Sequence, residues 1–441
     1  MMKSQLHSYS SIPAVLVSLL FTLSFIALPC SSSIVTLQQS PPVSGLRIAL
    51  QHIDSGKSLT KFERIRHALK REKQRRETLK AMLLAGTQIS SQVHPTITGL
   101  EYVMQVGIGT PPVRYNAVIN TGADLIWTQC KPCLNCMKQS TLLFDSEKSS
   151  SFSNLSCSSP FCDALQLSLC AIDICTYTYV YNKDTYTRGT MATETFTFGE
   201  NAKVSDLAFG CGQDNHFFEE DGFGGVMGMG RGMMSLVSQL NVSKFSYCLP
   251  SIADDTKSIS TLFLGSVPNF SLDSATTKTT YLVKNKIYPS FYYVMLCGIS
   301  VGDARLDIDE DKFAVNDDGN GGMAIDASTT NTVLEEEAFH RVANEFASQM
   351  NATVDDTSSD GYVACFNLHS SVVVPKLVFH FENADIELDN YMINDPRSGK
   401  WCLTMAISGD GTSVLGNMQQ RNMLVVYDLE KEMVSFVPKR C

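Results

Sequence analysis

NAVINTGADLIW, residues 116–127, runs an apolar strand into a tight Thr-Gly turn and out towards a Trp. GGMAIDASTT, residues 321–330, repeats the plan, with apolar residues, then an acid or an amide, then small residues. Asp326 follows Asn120 by 206 residues. Each copy is followed by an apolar-apolar-Gly stretch, GVMGMGRG around Gly228 and SVLGNMQQ around Gly416. One such pattern says little. Four elements in order predict two copies of one architecture, each sending a loop to a shared cleft.

The sequence around these loops is β-rich. EYVMQVGIGTPP, RYNAVINT, CTYTYVY, ATETFTFG, KFSYCLPS, TLFLGS, FYYVMLCGISVG, KLVFHFENADIEL and NMLVVYDLEKEMVSFV alternate or run apolar, separated by Gly, Asn and Asp turns. Helices are expected only at MMSLVSQL (233–240) and EEEAFHRVANEFASQM (335–350) within this body. An all-β body with few short helices is predicted.

Hydrophobic content of 44% with 18% charged residues describes a globular chain. Lys3 and His7 precede the apolar run IPAVLVSLLFTLSFIAL, and CSSS follows, so residues 1–30 read as a secretory signal. The run approaches the length of a membrane anchor, but Pro29 and the small residues after it favour cleavage. No membrane association is expected afterwards. Residues 57–85 form a basic helical pattern bounded by Gly56 and Gly86, and 86–99 read as a cleavable linker. Residues 1–95 carry 12 Lys and Arg against 4 Asp and Glu, a net of +8; the remainder has 23 against 41, a net of −18. A basic front held to an acidic body at neutral pH, and released when acid protonates the carboxylates, is the electrostatics of a zymogen. An acidic body also argues against nucleic acid as a partner.

Thirteen of the fourteen cysteines lie between Cys130 and Cys441, which in a secreted chain implies disulfides and one thiol left over. Four sequons, at Asn154, Asn241, Asn269 and Asn351, fit the same compartment. No metal site is predicted: HExxH is absent, and Cys130, Cys133 and Cys136 read better as disulfide partners than as ligands. No cofactor is expected, and no nucleophile-elbow pattern surrounds the Ser and His residues.

Two acidic loops facing each other would bring two carboxylates to one water. Their mutual repulsion splits the two pKa values, leaving one as base and its partner as acid. Here one of the pair is Asn120. Its amide donates where a carboxylate must accept, and it takes no proton from water.

DLIWTQCKPCLNC, GCGQDN, GMGRGMMSLVSQL, KFSYCL, FYYVMLCGISVG and GNMQQRNMLVVYDLEKEMVSF together resemble the pepsin-type aspartic endopeptidases of the plant nepenthesin-like branch. GLRIALQHIDSGKSLTKFERIRHALKR is similar to that branch's pro-segment, so the resemblance covers nearly the whole chain. It implies a bilobal β fold of two pseudo-symmetric lobes with a cleft and a flap. The signal (1–30) and pro-segment (31–98) would precede an N-terminal lobe at 99–285 and a C-terminal lobe at 286–441. It places the catalytic pair at Asn120 and Asp326, with Thr121, Gly122, Thr329 and Trp127 in support and Tyr181 on the flap. It implies six disulfides among Cys130, Cys133, Cys136, Cys157, Cys162, Cys170, Cys175, Cys211, Cys248, Cys365, Cys402 and Cys441. Nested bridges are expected within 157–175, with Cys248 joined to Cys441 and Cys365 to Cys402. The partner of Cys211 among 130, 133 and 136 stays open. Cys297 is expected as a buried free thiol.

The departures from the family pattern cluster at the chemistry. D-T-G-S has become Asn120-Thr121-Gly122-Ala123, and D-S/T-G-T has become Asp326-Ala327-Ser328-Thr329. Ala327 lacks the hydroxyl that ties the loops, a bond worth roughly 1 kcal/mol. Ser328 replaces a Gly, so backbone strain is expected there. The flap tip loses both glycines, reads Tyr181-Asn182-Lys183-Asp184-Thr185, and should close poorly. The expectation is a secreted, monomeric aspartic endopeptidase relative with catalysis lost or severely impaired, apoplastic or vacuolar, whose cleft takes a polypeptide. The alternative is a non-catalytic binding or inhibitor protein on the same scaffold, like plant xylanase-inhibitor-like relatives.

Overall fold

Strands, some alternating apolar with polar residues and others apolar throughout, build the framework of the described residues. Leu46–His52 shows the alternation plainly: Leu46, Ile48 and Leu50 are buried while Arg47, Ala49 and Gln51 face solvent. The computed structural model describes residues 45–52, 54, 58–60, 63–64, 102–165, 167–182, 185–199, 201–217, 223–249, 260–265, 276–355, 363–368, 372–395, 398–439 and 441. The signal, most of the basic helical pattern, the linker, Lys183, Asp184 and Asn269 lie outside them.

Twenty short strands join in one extended sheet system, with two separate four-stranded sheets in the second half. The two halves share a base. Ser260–Leu264 pairs with Lys244–Cys248, which pairs with Met423–Asp428, then Met433–Pro438, then Lys278–Val283, all antiparallel. Leu46–His52 completes that base. It lies antiparallel to Ser260–Leu264 along one edge and to Tyr102–Ile108 along the other. Its alternation was the available signal for a strand inside a segment otherwise read by its charge. Where the halves meet, Phe245 stacks on Tyr427 at 4.3 Å and Tyr292 packs on Tyr427 at 4.6 Å. These buried rings supply the apolar floor beneath the loops.

The expected helices form at Leu236–Gln239, capped by the Ser235 hydroxyl, and at Glu336–Gln349, capped by the Glu335 carboxylate. The longer one buries Ala338, Phe339, Val342, Ala343 and Phe346 along one stripe. No helix among the described residues is long and apolar enough to cross a membrane.

Six disulfides form among the described residues. Cys248–Cys441 and Cys365–Cys402 are as expected, and Cys130 is the partner of Cys211, with Cys133 bonded to Cys136. The pair within 157–175 is not nested. Cys157–Cys170 and Cys162–Cys175 overlap, because Cys170 and Cys175 sit opposite each other across a hairpin and each reaches back to a different upstream cysteine. Cys297 is the free thiol, but it is half-buried, not buried. Burial, with Glu310 and Glu382 nearby, pushes its pKa up, which disfavours the thiolate form. Asn154, Asn241 and Asn351 are exposed.

Arg231, near the first glycine loop, donates to both carboxylate oxygens of Glu432 in the C-terminal hairpin, and Lys284 joins the same carboxylate. Burial opposes ionisation of Glu432, but the hydrogen bonds from Arg231 and Lys284 outweigh it and hold its pKa below the usual value. A depressed carboxyl pKa contributes stability above the unfolded value, about 4.3, and loses it as pH falls through the folded value. Glu432→Gln is therefore expected to melt below the parent at pH 6, the gap closing as pH falls below about 4. A gap that stays constant from pH 6 to pH 3 in thermal melts would remove this bridge as an acid-sensitive tie.

Candidate active site

The two loops are set by the same local device. Val113–Asn120 lies parallel to Gly225–Gly228, with Gly228 opposite Asn120. Met323–Ile325 lies parallel to Ser413–Leu415, with Ile325 opposite Leu415. The glycine that ends the first partner strand and the one that follows the second are both needed for close approach. A Cβ on Gly228 would sit 2.1 Å from the Asp124 carbonyl oxygen, and one on Gly416 2.5 Å from that of Asn331. The doubling read from the sequence is thus a doubling of backbone geometry.

Asn120, Thr121, Asp326, Ser328 and Thr329 come together in one buried cluster. Asp326 accepts four hydrogen bonds. Oδ1 receives Thr121 Oγ1 at 3.0 Å and Ser328 N at 3.0 Å; Oδ2 receives Ser328 Oγ at 2.8 Å and Thr329 Oγ1 at 2.7 Å. Thr121 Oγ1 also accepts from Ala327 N at 2.9 Å, so the loops are tied from the first to the second. The reciprocal tie is missing, since Ala327 has no hydroxyl.

Asn120 Oδ1 accepts from Gly122 N at 2.8 Å and lies 3.2 Å from Ser328 Oγ, whose single proton it shares with Asp326 Oδ2. These donors fix the amide's orientation and leave Nδ2 as the atom that accepts nothing. That Nδ2 is buried and has no partner among the described residues. The expected strain at Ser328 does not arise. Its backbone stays out of the left-handed region, so the added side chain fits, and its hydroxyl bridges both key residues.

Polar residues of GNMQQR carry the second loop from behind. Asn417 Nδ2 donates to Ala327 O, and Gln420 Nε2 donates to Asp326 O and Leu415 O. Tyr247 Oη donates to Gln420 Oε1, and Arg421 Nη2 to Asn417 Oδ1. Sequence reasoning used this run only as a motif. Its signal was a row of amides and an arginine beside an apolar strand, all of which are buried. Asp124 was also missed: its carboxylate accepts from Gly232 N of the first half and from Ser290 Oγ of the second.

Trp127 Nε1 donates to Tyr181 Oη at 2.8 Å, and Phe217 packs on both rings. Burial, with Tyr179 beside it, pushes the Tyr181 hydroxyl well above the usual phenol range, so it stays neutral. These two expected residues therefore sit together in a packed aromatic cluster.

One other constellation has the order of a hydrolytic triad. Ser300 Oγ lies 2.8 Å from His380 Nε2, and His380 Nδ1 lies 2.6 Å from Asp385. Ser300 is on a strand paired on both edges, opposite Arg305 and Val378. Its backbone amides belong to ladders, so no oxyanion hole accompanies it. It is a cross-strand polar contact.

Residues 102–266 match the family described as xylanase inhibitor N-terminal, and residues 291–438 that described as xylanase inhibitor C-terminal. The chain is 42% identical to aspartic proteinase nepenthesin-1 of Nepenthes gracilis over 440 residues, 98% of this chain and 99% of that one. It is also 42% identical to aspartic proteinase nepenthesin-2 of the same organism, over 91% of this chain and 92% of that one. In fold it is similar to basic 7S globulin from soybean, with a TM-score of 0.63 at 17% identity, covering 90% of this chain and 98% of that one.

Proposed function

The chain belongs to the plant pepsin-type aspartic protease family, and from that premise we propose that it is a secreted member whose proteolytic chemistry has been lost or reduced to a trace. One observation carries this reading. Asn120 Oδ1 is held by Gly122 N, which leaves a buried N–H donor at the atom that would be the other carboxylate oxygen in an Asp–Asp pair. Peptide hydrolysis at such a pair needs one group to take a proton from water while its partner gives one to the substrate carbonyl. Asp326 serves one of these roles; Asn120 serves neither. A missing general acid–base group costs about 10²–10⁴-fold, and members of one catalytic unit fail together.

The family matches described as xylanase inhibitors favour a second reading, that the same scaffold now binds a protein or peptide without cutting it. On either reading the protein is a monomer that takes a polypeptide between its lobes and requires no cofactor.

The test is cleavage of a denatured protein substrate at about pH 3, with and without pepstatin, on folded protein freed of residues 1–98. Intact mass must show Asn120 unchanged. No pepstatin-sensitive cleavage is expected above a level about 10³-fold below nepenthesin-1 run alongside. Activity within tenfold of that control would end the proposal.

A further inference from the structure

We propose that Ser328 is a second block, independent of Asn120: its hydroxyl stands between positions 120 and 326, where the attacking water of an aspartic protease has to sit. This rests on the reading that Asn120 silences the pair. A water shared by two acidic side chains must lie within hydrogen-bond reach of both. Ser328 Oγ already does, at 3.2 Å from Asn120 Oδ1 and 2.8 Å from Asp326 Oδ2. A covalently attached hydroxyl in that place cannot be handed to a substrate carbonyl as water can.

Two further observations point the same way. The first loop's counterpart to Ser328 is Gly122, and a Cβ there would lie 3.4 Å from both Asn120 Oδ1 and Asp326 Cγ and 2.8 Å from Phe291. A side chain at this step of either loop therefore enters the space between the pair, and only the second loop carries one. Asp326 Oδ2 is also taken by Thr329, so Ser328 completes a set of four donors on that carboxylate. The Ser328 backbone is unstrained, so it tolerates Ala or Gly.

The experiment compares the parent, Asn120→Asp, Ser328→Gly, and Asn120→Asp combined with either Ser328→Gly or Ser328→Ala. Each is checked for folding by thermal melt. Calorimetry at about pH 4 measures binding of pepstatin, whose central hydroxyl competes for the same place. Cleavage of a denatured protein at about pH 3 measures turnover. Ser328→Gly is expected to bind pepstatin at least tenfold more tightly than the parent. Asn120→Asp/Ser328→Gly is expected to cleave at least a hundredfold faster than Asn120→Asp, with the Ala version close to it because the hydroxyl is the obstacle. Unchanged pepstatin affinity in Ser328→Gly overturns the proposal. So does a double variant within threefold of Asn120→Asp. Pepstatin-sensitive cleavage by the parent itself would instead remove the underlying reading of Asn120, and the same assay shows this before any variant is compared.

Discussion

Asp326→Ala is expected to lower stability by about 2–4 kcal/mol, measured by urea unfolding at pH 6. The carboxylate is almost wholly buried and forms no ion pair among the described residues, which by itself would make it a liability. Four hydrogen bonds from Thr121, Ser328 and Thr329 offset that cost. Removing the carboxylate strands those donors. The Ser328 hydroxyl, now shared between Asp326 Oδ2 and Asn120 Oδ1, can give its proton wholly to Asn120, but the Ser328 amide is fixed. Each buried donor left unmade costs about 1–3 kcal/mol, which sets the range. Asp326→Asn should cost less, about 1 kcal/mol, because one acceptor oxygen remains for Ser328 N and Thr121. The sign is diagnostic. Two carboxylates forced together repel, and deleting one relieves the site. With Asn120 in place no such repulsion exists, so deletion should only destabilise. A variant that unfolds at the same or higher urea concentration would show that Asp326 is a strained charge, not a satisfied one.

Much of this site was legible before any geometry was known, because its plan is written in backbone requirements. An apolar strand, a small turn and a following glycine recur at Asn120 with Gly228 and at Asp326 with Gly416, and each glycine proves to face a backbone carbonyl too close for a side chain. The apolar runs that mark Tyr102–Ile108 and Met423–Asp428 as strands are equally local. Ser328 was legible only as an anomaly. Whether its side chain strains the backbone or spans the gap depends on its φ and on Asn120, 208 residues away, neither of which sequence displays. The overlap of the two bridges at 157–175 was hidden for a similar reason. Cysteine spacing admits nested and overlapping pairings alike, and hairpin register selects between them. The buried amides of Asn417 and Gln420 were visible as residues, but their targets, the backbone carbonyls of the second loop, were not.

Removing the Cys248–Cys441 bridge by a double change to Ala should give the largest loss of stability, about 5 kcal/mol at 25 °C. The two cysteines are 193 residues apart, and constraint of the unfolded chain grows with the logarithm of the closed loop. By that measure it outweighs Cys157–Cys170 and Cys162–Cys175, each spanning 13 residues, by roughly 2 kcal/mol. The bridge also acts locally in the folded state. Cys248 ends Lys244–Cys248, which pairs with Met423–Asp428 across the base shared by the halves, and it packs there with Leu424 and Val426. Opening it frees Cys441 beside the pairing that joins Lys244–Cys248 to the second half. The effect should therefore reach the active-site loops, because Tyr247, next to Cys248, donates to Gln420, which in turn holds the Asp326 carbonyl. Urea unfolding of the double Ala variant tests the magnitude, and hydrogen exchange at residues 415–428 tests the route. A loss no greater than that from removing Cys157–Cys170 would mean that loop length does not govern here. Unchanged exchange at 415–428 would mean that the base holds without its C-terminal staple.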